Sequence, residues 1–190
     1  MRSSEPDDAA LIRTDFAALF DRHAPHIHRY LARRLGAQVA DDLVAETFLT
    51  AFRRRGTFRP EQSDARPWLY GIATHLVAQH RRDEVRRLRL HQAVPPMPDA
   101  ICHADQVASD VTAAALRGLL TTALAALADG DRDVLLLIVQ EELTYEQVAI
   151  ALDIPVGTVR SRLHRARGAL RAALGGSNPL TGVEEEIRHG

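Results

Sequence analysis

Lysine is absent from this 190-residue chain: all 24 of its basic residues are arginine. Cysteine and tryptophan occur once each, and aromatic residues make up only 5% of the sequence. Each shortage excludes something. The lone Cys102 cannot close an internal disulfide, and the stretch Met1 to Asp8 lacks the apolar core of a signal peptide, so a cytoplasmic protein is expected. No apolar run exceeds six residues, the length of Val134–Val139, against roughly 20 needed to span a bilayer, so no membrane insertion is expected. Using arginine alone supplies planar donor forks that suit phosphate oxygens and guanine edges. A GC-rich genome would produce the same bias.

What remains is a globular composition, 46% hydrophobic and 26% charged. The net charge of −1 conceals a pattern. Residues 53–91 carry ten arginines against four acids, and residues 156–172 carry five against none, while residues 92–155 between them carry two against ten. Two basic blocks separated by an acidic one form an electrostatic footprint for a polyanion. The aromatics are divided too: eight of nine precede residue 71, and only Tyr145 follows. Pro95, Pro96 and Pro98 forbid a helix interior between the halves. The expected organisation is a domain over 1–91, a Pro-rich linker over 92–110, a domain over 111–176, and a tail over 177–190 after Gly175-Gly176. Halves of this size favour helices over a large sheet, and no period-two alternation stands out, so an all-α fold with two small helical domains is expected.

In the first half, Thr14 is placed to cap a helix with apolar positions Phe16, Leu19, Phe20, Ile27 and Leu31 that ends at Gly36. A second helix is expected from Val39 to Arg54. At about 100° per residue, Asp42, Glu46, Leu49 and Arg53 share its outer stripe while Val44, Phe48 and Ala51 face inward. Gly56–Gln62 reads as a loop. Ser63 then caps a long helix, with Pro67 in its first turn, that runs into the Arg81–Arg89 cluster.

In the second half, a helix over Val111–Leu127 is followed by Asp129-Gly130-Asp131 as a turn and cap, then by a buried helix containing Val134–Val139. Thr144 and Gln147 form a capping box for a short helix burying Val148, Ala149 and Leu152. Asp153–Gly157 breaks it, and a longer helix starts near Thr158. Short helix, tight turn and basic helix make a helix-turn-helix, whose second helix enters the major groove. Val156, Val159, Leu163, Ala166 and Leu170 span an arc of about 80° and form the packed stripe. Ser161, Arg165 and Gly168 lie opposite with His164 close by; Arg160, Arg167 and Arg171 flank one side and Arg162 the other. Small or hydrogen-bonding groups at the centre read base edges, and marginal arginines hold phosphates.

The segments Leu143–Ala149 and Pro155–Arg167 closely resemble the fourth conserved region of bacterial RNA polymerase sigma factors of the extracytoplasmic-function (ECF) group. Upstream, Asp41–Phe52 and Arg66–Ala73 are similar to the second region, and the resemblance covers about residues 14–175. It implies a subunit that binds core RNA polymerase, recognises the minus-thirty-five element of promoter DNA through the helix-turn-helix, and opens the minus-ten element with the N-terminal domain. By motif position the base readers are Ser161, His164 and Arg165, on the helix that opens near Thr158, and Arg160, Arg162 and Arg167 hold phosphate. Asp42, Glu46, Leu49 and Arg53 would meet the polymerase clamp. Strand opening needs stacking surfaces and a basic channel, for which the candidates are the Gly56–Ser63 loop with Phe58, Arg59 and the adjoining Arg55, and the helix face with His75, Gln79, His80 and Arg82. Trp68 and Tyr70 are read as core. The chain departs from the family at Ala45, where Gln is usual, and at His75, where Asn is common. An anti-sigma factor is an expected partner, covering the apolar stretches Leu116–Leu127 and Val134–Val139.

Other readings compete. Asp42 and Glu46 stand one turn apart like paired carboxylates, but no nucleophile motif, Gly-rich phosphate loop or metal signature accompanies them, so neither catalysis nor a cofactor is expected. His23, His26 and His28, and Cys102-His103, lack zinc-site spacing, so no metal is expected. A helix-turn-helix regulator acting on duplex DNA without polymerase is the principal alternative.

Overall fold

The computed structural model of the protein describes residues 7–59, 63–91 and 111–174, with side chains except at 90, 91 and 111–117. Every regular element among the described residues is helical, as expected. They divide into two compact units, Met1–His103 and Ala104–Gly190. The expected linker and tail lie outside the described residues.

The N-terminal unit opens with a helix not anticipated from the sequence, α1 (Asp8–Thr14). Asp7 caps it, its Oδ1 accepting from the Ala10 N–H at 2.7 Å. Thr14 therefore ends α1 instead of starting the next helix, and its hydroxyl donates back to the Ala10 carbonyl at 2.9 Å. Asp15 takes the capping role for α2 (Phe16–Leu35), accepting from the Ala18 N–H at 3.1 Å, where a carboxylate also suits the positive end of the helix dipole. Helix α3 (Ala37–Arg53) follows after Gly36 alone, which serves both helices at φ +87, a region where a Cβ is strained. The sharp reversal lays α2 and α3 antiparallel: Phe16 meets Phe52 with ring centroids 5.2 Å apart, and Phe20 meets Phe48 at 4.8 Å.

A 3-10 turn over Arg55–Thr57 leads towards α4 (Arg66–His91). Ser63 does not cap α4. Its carbonyl accepts from the Asp8 N–H at 3.3 Å, the Ala65 carbonyl takes the first helical bond from Leu69, and Asp64 Oδ1 accepts from the Arg66 N–H at 2.9 Å. Leu19, Ile27, Tyr30, Leu31, Val44, Phe48, Leu69, Tyr70 and Val77 form the core, and each large apolar side chain contributes about 1.5–3 kcal/mol by leaving water. One polar link crosses it: the Tyr30 hydroxyl lies 2.7 Å from the Thr74 hydroxyl and accepts from Arg34 Nη1 at 2.9 Å.

The C-terminal unit comprises α5 (Val111–Ala126), α6 (Asp129–Val139), α7 (Tyr145–Leu152) and α8 (Val156–Ala173). Asp129-Gly130-Asp131 is not a turn but the first turn of α6, where acidic residues suit the helix dipole. Arg132 reaches back from α6, its Nε donating to the Leu124 carbonyl at 2.7 Å and its Nη2 to the Leu127 carbonyl at 2.8 Å, which satisfies the end of α5. Val134 to Ile138 are buried within the unit, so this stretch is core and not a surface for a partner; Leu119 and Leu120 on α5 are exposed.

The helix-turn-helix is α7, a turn with Asp153 at φ 51, and α8. Pro155 sits at the N-cap of α8, so the helix starts two residues before Thr158. Only Val148 of α7 is fully buried; Ala149 and Leu152 are half-buried because this short helix rests on the unit's edge. The capping box is complete: Gln147 N–H donates to the Thr144 hydroxyl at 3.2 Å, and Thr144 N–H to Gln147 Oε1 at 2.9 Å. Thr144→Ala removes one half of it and is expected to lower the unit's stability by about 1 kcal/mol, measured by urea denaturation.

Candidate nucleic-acid interface

Helix α8 is two-sided. Val159, Leu163, Ala166 and Leu170 are buried, while Arg160, Ser161, His164, Arg165 and Gly168 are exposed and Val156, Thr158 and Arg162 half-buried. Arg167 departs from the expected marginal position: it is half-buried, with Nε and Nη2 sealed from solvent. It lies only about 20° beyond the packed arc on the helix wheel, so its stem joins the interior.

Two arginines of α8 lie against the first turn of α6. Arg165 Nε donates to Asp131 Oδ2 at 3.0 Å and Nη2 to Oδ1 at 2.8 Å. The Arg165 side chain remains 59% exposed, whereas that of Asp131 is 13% exposed. Hydrogen bonding to Asp131, then its charge, raises the Arg165 pKa further above its ordinary value. Arg162 lies over Gly130 so closely that a Cβ there would stand 2.7 Å from Nη1. The sequence pattern did not single out Asp131 or this use of Gly130; an Asp-Gly-Asp turn looks like punctuation until α6 is packed on α8.

In the N-terminal unit, Asp42, Glu46, Leu49 and Arg53 all lie exposed on one stripe of α3, with Ala45 exposed beside them. Phe20, read from the sequence as an apolar position of its helix, and Phe52 are 40% and 45% exposed and widen an apolar patch around Leu49. Arg55 caps that patch, its guanidinium 4.2 Å from the Phe52 ring centroid and its Nη1 donating to the Phe52 carbonyl at 2.8 Å.

His75, Gln79 and Arg82 are exposed on one face of α4. His80 is half-buried and turned about 100° from Gln79, so it leaves that face. Phe58, expected as a stacking platform, is instead part of the core: it is 8% exposed and packs on Trp68 with ring centroids 5.3 Å apart. Arg59 is exposed, and residues 60–62 of the loop lie outside the described residues.

The chain leading into α4 is anchored by a buried carboxylate that the sequence did not flag. Asp8 Oδ2 accepts from the Ala65 N–H at 2.8 Å and lies 2.9 Å from His23 Nε2, and Oδ1 accepts from Arg22 Nη1 at 2.8 Å. Burial pushes the Asp8 pKa up, but the hydrogen bonds from His23, Ala65 and Arg22 and the attraction of His23 outweigh it and hold the group at about 2. The three helical histidines diverge: His23 to Asp8, His28 to Asp41 at 3.0 Å, and His26 beside Arg29 at 2.8 Å. Cys102-His103 lies outside the described residues. No group of three metal-binding side chains occurs among the described residues, and no helix among them is long and apolar enough to cross a membrane.

A helix-turn-helix whose second helix exposes arginines in one unit, and a long arginine-rich helix in the other, define a two-unit helical protein of the DNA-binding class. Residues 19–87 match the family described as Sigma-70 region 2, and residues 117–170 match Sigma-70, region 4. The ECF RNA polymerase sigma factor SigL of Mycobacterium tuberculosis is 34% identical over 168 residues, covering 88% of this chain and 90% of that protein. The RNA polymerase sigma factor CarQ of Myxococcus xanthus is 36% identical over 162 residues, 84% and 89% of the two chains. The sigma factor RpoE of Bartonella quintana, solved with the anti-sigma factor NepR, shares the fold at TM-score 0.66 and 24% identity over 85% of this chain and 97% of that one. CnrH, solved with the cytosolic domain of CnrY, does so at TM-score 0.59 and 23% identity, over 89% and 96%. The chain belongs to the ECF RNA polymerase sigma factors, and it is an alternative sigma factor directing transcription.

Proposed function

We propose that α8 reads the minus-thirty-five element in the major groove with Ser161, His164 and Arg165, that Thr158, Arg160 and Arg162 fix the helix on the phosphates, and that Arg167 adds only its buried stem. The observation that carries this is the division of α8 into a buried apolar stripe and an outward face of small and hydrogen-bonding groups. The Asp42, Glu46, Leu49 and Arg53 stripe, widened by Phe20 and Phe52, docks on the polymerase clamp. The α4 face with His75, Gln79 and Arg82, together with Arg55 and Arg59, tracks the opened minus-ten strand. In this reading residues 1–91 and 111–176 are the two functional domains, joined by the Pro-rich segment 92–110, and 177–190 is a tail. The protein works in the cytoplasm without catalysis of its own or a cofactor, and an anti-sigma factor restrains it, with exposed Leu119 and Leu120 on α5 part of the apolar surface it covers.

In vitro transcription tests the proposal. Core polymerase with the full chain is expected to start at defined promoters where core alone does not. Initiation is expected to fall steeply with salt, because each phosphate contact releases counterions. Duplex binding without promoter-dependent initiation would sink it in favour of the polymerase-independent regulator.

A further inference from the structure

We propose that Asp131 is a specificity-determining positioning residue, which holds the Arg165 guanidinium as a rigid fork for one guanine of the minus-thirty-five element. The inference rests on the reading of α8 as the groove helix. A guanidinium has five N–H donors. Asp131 occupies the Nε–H and one N–H of Nη2, the edge of the group next to its stem. The far edge, formed by Nη1 and the second N–H of Nη2, stays open, and the side chain is 59% exposed. Two parallel donors at that edge match the O6 and N7 acceptors that guanine presents in the major groove, a pattern no other base shares.

The arrangement also disfavours other uses of Arg165. If the side chain swung away to a phosphate, Asp131, whose side chain is 13% exposed with Arg165 upon it, would lose this charged partner, and a carboxylate that is partly buried and unpaired is costly. The α6 turn that carries Asp131 is itself pressed against α8, since Arg162 lies over the bare α carbon of Gly130. The carboxylate is therefore a fixed point, and ordering Arg165 before DNA arrives removes rotamer entropy that binding would otherwise cost.

Selection from a promoter library randomised through the minus-thirty-five element, using the full chain assembled with core polymerase, tests this. The wild type should select guanine at one position, and Arg165→Ala should flatten the preference there. Asp131→Ala should lower guanine preference at that same position by about three- to tenfold while leaving the other positions unchanged, the range expected for freeing one side chain. Asp131→Asn, which keeps the shape and one acceptor, should fall between and guards against misfolding. Retained or sharpened guanine preference in Asp131→Ala overturns the proposal, as does a uniform loss across all promoters, which marks a merely structural role. An unchanged base profile in Arg165→Ala would instead remove the underlying reading of α8.

Discussion

Asp8→Ala is expected to destabilise the N-terminal unit by about 3–5 kcal/mol, the cost of breaking a buried ion pair from one side. Three donors lose their acceptor at once: Arg22 Nη1, His23 Nε2 and the Ala65 N–H. The Ala65 amide is the most expensive of these, since a buried backbone N–H has no rotamer with which to find water. For a unit of this size the loss corresponds to a fall in Tm of roughly 12–40 °C. Trp68 is the single tryptophan and packs on Phe58 in this unit, so its fluorescence follows the transition without interference from the other half. Because Asp8 fastens α1 to the chain entering α4, the variant is also expected to slow strand opening more than it weakens duplex binding.

The same carboxylate makes stability depend on acid. Its folded pKa, about 2, lies below the ordinary 3.8, so the unfolded chain binds the proton more readily. The stabilisation is complete above about pH 5 and is lost as the pH falls through the folded pKa; about 2 kcal/mol disappears between about pH 5 and pH 2. Asp8→Asn should remove this component, flattening the acid limb of a stability profile read from Trp68. An unchanged limb in the variant would show that other carboxylates govern it.

Why Asp8 escaped notice in the sequence while the helix-turn-helix did not is a matter of range. The capping box of α7 and the apolar stripe of α8 are local codes, written within four to fifteen residues; the box is present as read, and the stripe is buried at every position but the half-buried Val156. The partners of Asp8 stand up to 57 residues away, a distance over which periodicity carries no information. Asp131 and Arg165, 34 residues apart, are hidden for the same reason. Local codes also misled where two of them overlapped. Thr14 and Asp15 are both good N-caps, and only the unforeseen α1 decides between them by taking Thr14 as its last residue. Phe58 has the chemistry of a stacking platform, but its pairing with Trp68 across the incompletely described loop turns it into core. The outward stripe of α3 was legible because exposure alternates with burial along one helix, whereas the exposure of Phe20 and Phe52 depends on where the antiparallel pair runs out of covering neighbours.

Leu163→Ala should have the largest effect on the C-terminal unit. Leu163 is 2% exposed at the middle of the buried stripe of α8, between Val159 and Ala166. Truncating a buried leucine costs about 2–5 kcal/mol, more where neighbours cannot close the gap, and helices fixed by backbone hydrogen bonds at this spacing relax little. Small domains hold only about 5–15 kcal/mol in total, so the variant is expected to leave the helix-turn-helix marginal. Thermal melting by circular dichroism should show an early loss of part of the helical signal, with the Trp68 transition unmoved. Promoter-dependent initiation should fall at least tenfold while association with core polymerase persists. Ser161→Ala is the contrasting case on the same helix: its hydroxyl is exposed and bonds only the Thr158 carbonyl, at 3.0 Å, so stability should stay within about 0.5 kcal/mol of the wild type. If the Trp68 transition moved in step with the early loss in Leu163→Ala, the two units would not be folding independently, and a single cooperative core would have to replace the two-unit description.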